Sequence, residues 1–189
     1  MAYLTESAVR ARAARVTQRM YKSARDVLVE SRARAADRFD IFLSHSTNEP
    51  EEILLGVKSL LEDRGLSVYV DKYSDPHLSP DRVTAETAEL LRRRMRQCAA
   101  LLYVYSRYSQ KSRWMPWELG YFDALRGKVG VIPVTRNQEE DFKGEEYLNL
   151  YPNVDITDLA DPSRSTLWIN KSANHYAFLV EWVHGRDNP

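Results

Sequence analysis

The strongest constraint on this chain is an alternation that begins after residue 38, in which short apolar runs ending in polar turns are separated by stretches with a helical stripe. Phe39 to Ser44 is apolar and gives way to His45, Ser46, Thr47 and Asn48, the profile of a strand running into a loop. From Glu51 to Arg64 the apolar residues Ile53, Leu54, Val57, Leu60 and Leu61 recur at helical spacing, and Gly65 follows where a left-handed residue is wanted. Ser67 to Asp71 reads as a second strand, Lys72 to Pro80 as a loop, Asp81 to Gln97 as a helix, and Cys98 to Tyr105 as a third strand apolar enough to be central. A helix over about 113–126 and a strand over Val129 to Val134 come next. Asn153 to Thr157 is expected as a fifth strand and Ser172 to His184 as a last helix. Strands and helices taking turns at these distances predict an α/β fold, a central parallel sheet with helices on both faces.

Composition removes several function classes. Lys plus Arg and Asp plus Glu both number 27, and a chain with no net charge lacks the basic excess of a nucleic-acid binder. One cysteine, Cys98, excludes an internal disulfide or a multi-cysteine metal site, and as part of an apolar strand it is expected to be buried and inert. His175 and His184 have no companions at ligand spacing, so no metal is expected. With no apolar run of membrane-spanning length and no signal-peptide core at its start, the chain is expected to be cytoplasmic, without a membrane partner. The charge is nonetheless uneven. Residues 1–38 hold nine Lys or Arg against four Asp or Glu, contain neither Gly nor Pro, and carry Val9, Ala13, Val16, Met20 and Val27 on one helical face. They are expected as a basic helical segment, packed on its own domain or on a second copy, preceding a domain at 39–189 that ends in the C-terminal helix. The run Arg92, Arg93, Arg94 and Arg96 is expected on a solvated helix face.

Open parallel sheets bind ligands outside the carboxyl ends of their strands. The polar residues placed there are Ser44, His45 and Ser46 after the first strand, Asp71, Lys72, Tyr73 and Asp75 after the second, and Ser106 and Arg107 after the third. Trp114 and Glu118 stand four apart near the start of the helix that follows, on one face. From that position the helix dipole is expected to hold Glu118 ionised. The rim lacks the acidic pair of a phosphoacceptor response regulator and the Gly-rich turn of a dinucleotide oxidoreductase.

Three segments together, Phe39-Asp-Ile-Phe-Leu-Ser-His-Ser46, Leu66-Ser-Val-Tyr-Val-Asp71 and Ser112-Arg-Trp-Met-Pro-Trp-Glu-Leu-Gly120, resemble a bacterial TIR (Toll/interleukin-1 receptor) domain over roughly residues 39–160. The resemblance implies the flavodoxin-like TIR fold. It also implies one of two roles: cleavage of NAD+ at the nicotinamide–ribose bond, or noncatalytic scaffolding through TIR–TIR contacts. In the enzymatic branch the essential glutamate lies four residues beyond an aromatic, as Glu118 does beyond Trp114. The resemblance thus implies Glu118 as the catalytic residue, with Trp114, Ser44, His45, Ser46, Asp71, Lys72 and Tyr73 around the substrate. NAD+ is then substrate and no cofactor is needed. A standalone TIR of this kind further implies self-association, and a nucleotide signal in antiphage defence that activates a separate effector.

The chemistry asks little of the protein. Nicotinamide leaves as a neutral molecule, so no general acid is required, unlike in an ordinary glycosidase. Positive charge develops on the ribose, and one fixed carboxylate can stabilise it. Attack by water would give ADP-ribose, and attack by a group of the bound nucleotide would give a cyclic isomer.

Overall fold

The computed structural model describes residues 2–31, 37–74, 84–137, 144–157, 166–172, 174–187 and 189. The elements, in chain order, are β1 (Leu4–Thr5), α1 (Glu6–Met20), α2 (Ala24–Glu30), β2 (Phe39–Ser44), α3 (Glu51–Glu62), β3 (Val68–Tyr69), α4 (Asp71–Ser74), α5 (Ala85–Arg96), β4 (Cys98–Tyr105), α6 (Trp114–Arg126), β5 (Val129–Thr135), β6 (Asn153–Ile156), β7 (Leu167–Ser172), β8 (His175–Phe178) and α7 (Leu179–Val183). They form one sheet in the order β3-β2-β4-β5-β6-β7-β8, with β1 paired to β5. The ladders from β3 through β6 are parallel, and those of β6 with β7 and β7 with β8 are antiparallel.

Side-chain alternation along the central strands builds two apolar layers. Ile41, Leu43, Leu102 and Val104 join a core with Val9 of α1, Ile53 and Leu54 of α3 and Trp182 of α7. Phe42, Leu101 and Tyr103 join the opposite core with Met95 of α5 and Met115 and Phe122 of α6. This sandwich fixes the register of β2 against β4, because a slip by one residue would exchange the two faces. α6 closes on Gly127, whose φ of 61° is left-handed and costs glycine little. Cys98 opens β4 as a buried thiol, and burial pushes its pKa up to about 12.

The basic N-terminal segment is tied to this sheet. Thr5 caps α1 by accepting from the Ala8 N–H, and Val9 and Ala13 face inward with no more than 1% exposure. α1 crosses α3 at Gly56, where an added Cβ would stand 2.1 Å from the Val9 carbonyl oxygen. Arg12 clasps Asp63 of the residue turn after α3 with two hydrogen bonds of 2.8 and 2.7 Å.

Several expectations need correction. The helix expected over Ser172 to His184 is an antiparallel β7–β8 hairpin followed by the single-turn helix α7. Ile169 and Ala177 point into the core while Trp168, Tyr176 and Phe178 pack ring against ring on the other side, an alternation of period two. The second strand is shorter than expected: only Val68 and Tyr69 pair, and Asp71 already begins α4. Arg94 is buried, its guanidinium over the Tyr69 ring, so only part of the arginine run is solvated. The expected loop beyond Ser74 and the helix start at Asp81 lie outside the described residues. Among the described residues no helix is long and apolar enough to cross a membrane.

Candidate active site

The site begins where β2 stops. Ser44 is the last residue of the strand, on the α6 side of the sheet, and its hydroxyl donates a 2.6 Å hydrogen bond to Glu118 Oε2. Glu118 is only 2% exposed. It lies on the inner face of α6 with Met115, Leu119 and Phe122, so the packing that seats the helix also drives the carboxyl against the sheet's carboxyl edge. His45 follows, 6% exposed. Its Nδ1 lies 2.9 Å from the Ser46 carbonyl oxygen, and its Nε2 lies 2.9 Å from Asp71 Oδ1. The second contact is a charge pair rather than a linear hydrogen bond, for Nε2 has no well-aligned acceptor. Asp71 is steadied by the Lys72 backbone N–H, which donates to Oδ1 at 2.6 Å.

Electrostatics here differ from the expectation at one point. Glu118 is the fifth residue of α6, beyond the orphan N–H groups of the first turn, so the helix dipole does not govern it. Burial, reinforced by the nearby charge of Asp71, pushes its pKa up to about 8, against the opposing effects of the Ser44 hydrogen bond and His45. The fold therefore disfavours the ionised carboxylate in the free protein. For His45, burial favours the neutral ring, but the charge and contact of Asp71, the Ser46 carbonyl and Glu118 outweigh it and raise the imidazole pKa.

The structure thus brings five of the expected residues together: Ser44, His45, Ser46, Asp71 and Glu118. Ser46 is buried and its hydroxyl caps the Asn48 N–H at 3.2 Å, a turn-forming contact. The other three stand apart. Lys72 reaches the Thr47 carbonyl at 3.3 Å and lies over the Tyr73 ring. Tyr73 is core, its hydroxyl donating to Glu51 at 3.1 Å, and burial raises its pKa. Trp114 is half-buried and meets Trp117 edge-on at 5.3 Å, and Trp117 in turn carries the Arg92 guanidinium on its face. Beside the first turn of α6, Tyr103, Tyr105, Ser112, Pro116, Glu145 and Tyr147 line a cleft of about 280 Å³.

One residue was not foreseen. Glu49 is 3% exposed and accepts a 2.7 Å hydrogen bond from Ser106, the strand-end serine of β4. In sequence it resembles one more acid opening α3, beside Glu51 and Glu52, and only its burial distinguishes it.

A mostly parallel α/β sheet with buried carboxyls, a serine and an imidazole gathered at the carboxyl ends of its strands is an α/β domain of the doubly wound class, with its polar cluster where such sheets bind ligands. The TIR domain family model matches residues 41–166, and the chain belongs to that family. It is 42% identical over 146 residues, 77% of its length and 75% of the relative's, to a Bacillus cereus protein named probable 3' cyclic ADP-D-ribose synthase ThsB'. A solved structure, the TIR domain of the Toll-related receptor TRR-2 from Hydra magnipapillata, is 16% identical and superposes with a TM-score of 0.43, covering 61% of this chain and 83% of that one.

Proposed function

We propose that this TIR protein consumes NAD+, breaking the nicotinamide–ribose bond at Glu118 and producing a cyclic ADP-ribose isomer as an antiphage signal. The observation that carries the reading is the Glu118 carboxyl, buried and oriented by Ser44, beside the His45–Asp71 pair. The name of the Bacillus cereus relative supports cyclisation over simple hydrolysis. In the reaction the C–N bond breaks with its electron pair leaving on nicotinamide, which departs neutral. A hydroxyl of the same nucleotide then bonds to the anomeric carbon and releases its proton, whereas water in that place would give ADP-ribose.

The raised pKa of Glu118 suits this chemistry. NAD+ carries positive charge on the nicotinamide ring, and the ribosyl cation carries it through the transition state. A cation seated beside the carboxyl favours the ionised form, so the substrate itself helps to draw off the proton. Once ionised, a desolvated carboxylate held by Ser44 stabilises developing charge more strongly than one in water. NAD+ enters as substrate, and no resident cofactor is invoked. Trp114 offers the aromatic face for a base, and the cleft lined by Tyr103 and Tyr147 lies on the same rim. Self-association of TIR domains and a separate effector that reads the product complete the proposed pathway.

Purified protein incubated with NAD+ at high concentration, followed by chromatography and mass spectrometry, tests this. The parent is expected to release nicotinamide with a partner product one water lighter than ADP-ribose. Glu118→Ala is expected to lose about 100- to 1,000-fold or more in rate. Equal release by both proteins, or none from the parent, would leave a noncatalytic TIR scaffold.

A further inference from the structure

The rim next to Glu118 is walled by tyrosine. Tyr103 is the partner of Ser44 across the β2–β4 pairing, and Ser44 holds Glu118. Tyr103 and Tyr105 stand two apart on β4 and so turn to the same face of the sheet. The segment after β5 folds back onto that face. Its Leu148 is fully buried in the core beneath α6, and the Tyr151 hydroxyl donates to Asp123 of that helix at 3.0 Å. This anchoring sets Tyr147 against Tyr103, and the two side chains share a hydrogen bond. Gln110 and Pro116, the latter from the first turn of α6, help to close the cleft of about 280 Å³. Among the described residues its lining includes the carboxyl of Glu145 and no Lys, Arg or His. Tyrosine rings with an acid and no base suit a flat organic cation, because the negative ring faces attract positive charge and the acid balances it.

We propose that this cleft receives the nicotinamide ring of NAD+, and that Glu145 is a specificity-determining residue that reads the ring's positive charge. This rests on the NAD+-consuming reading given above. Of the parts of NAD+ only the nicotinamide ring is cationic. The adenine is neutral and the diphosphate anionic, so the cleft selects among them by charge. The Gln110 amide offers both a donor and an acceptor to the carboxamide on the ring. When the C–N bond breaks, its electron pair goes to the ring nitrogen and the ring becomes neutral. The cleft then loses its charge attraction, and nicotinamide is released. That attraction acts before the charge passes to the ribose, so it governs affinity for NAD+ rather than the chemical step.

The test uses two free rings on the full chain, read by ligand-observed NMR: 1-methylnicotinamide, which keeps the charge without the sugar, and nicotinamide, which lacks it. The parent is expected to bind the cation about tenfold more tightly than the neutral ring. Glu145→Gln, at an exposed position, should shrink that preference to about threefold or less. It should also raise KM for NAD+ about threefold while kcat stays within about twofold. Tyr147→Ala should weaken both rings, and Tyr147→Phe, which keeps the aromatic face, should retain them. Equal binding of the two rings by the parent, binding of neither, or an unchanged preference in Glu145→Gln overturns the proposal. Binding that persists undiminished in folded Tyr147→Ala overturns it as well. If that variant does not fold by circular dichroism, the Glu145→Gln preference decides alone. Failure of the parent to turn over NAD+ overturns the underlying catalytic reading, in a measurement separate from the ring titrations, which need no turnover.

Discussion

Glu118 is pushed toward its protonated form because the fold denies it water, and that shift can be read in two independent ways. The first is activity. If the ionised carboxyl is the working form, kcat/KM for NAD+ should rise with pH and level off near the free-protein pKa of about 8. A profile already flat from pH 5 upward would mean that Glu118 does not set the rate. The second is stability. The folded pKa lies above the ordinary carboxylate value of 4.5, so between those limits the native state holds a proton that the unfolded chain has lost, and stability falls as pH rises through that window. Glu118→Gln removes the penalty. It should exceed the parent by less than about 1 kcal/mol near pH 5 and by on the order of 4 kcal/mol at pH 8, read as a rise in Tm that grows with pH. The location of Glu118 was legible from its four-residue spacing to Trp114 and its place on α6. Its protonation was not, because that depends on how far Ser44, Asp71 and the surrounding apolar layer exclude solvent. The same holds for Glu49, whose burial depends on how distant parts of the chain pack around it.

The seat of α1 on α3 depends on one glycine, Gly56. With Val9 O only 2.1 Å from the position of a Cβ, Gly56→Ala cannot be absorbed by a rotamer change, since the obstacle is backbone. It should cost about 3 kcal/mol, the upper end for overpacking, in urea unfolding, and hydrogen exchange should show α1 losing protection ahead of the sheet. At the other end of the chain, Trp182 of α7 is 5% exposed against the sheet, and Trp182→Ala should cost about 3–5 kcal/mol by the same measurement. These two elements also mark where sequence patterning was and was not sufficient. β2, β4, β5, α3 and α6 were readable because long runs with one period fix them. The spacing of Leu179, Trp182 and Val183 was a real helical signal, but it spans one turn. The alternation of Trp168, Ile169, Tyr176, Ala177 and Phe178 around it belongs to strands that stabilise each other across a hairpin, a pairing invisible to a local window.

At the scale of the whole molecule, one sheet binds the segments into a common core: β1 adds to β5, α1 and α7 lie in the same apolar layer, and α5 and α6 fill the other. Residues from both ends of the chain therefore unfold with the centre, and a single cooperative transition is expected when circular dichroism and tryptophan fluorescence are compared during denaturation. The lone thiol of Cys98 sits at the start of β4, an interior strand of this sheet, and burial pushes its pKa up to about 12, so it has almost no thiolate to offer at neutral pH. A disulfide reagent should therefore leave the native protein unmodified until that strand is released, and the rate of modification then becomes a clock for global opening. The molecule carries its own stopwatch, one atom of sulfur, by which the grip of any added nucleotide can be timed without a label or a coupled assay.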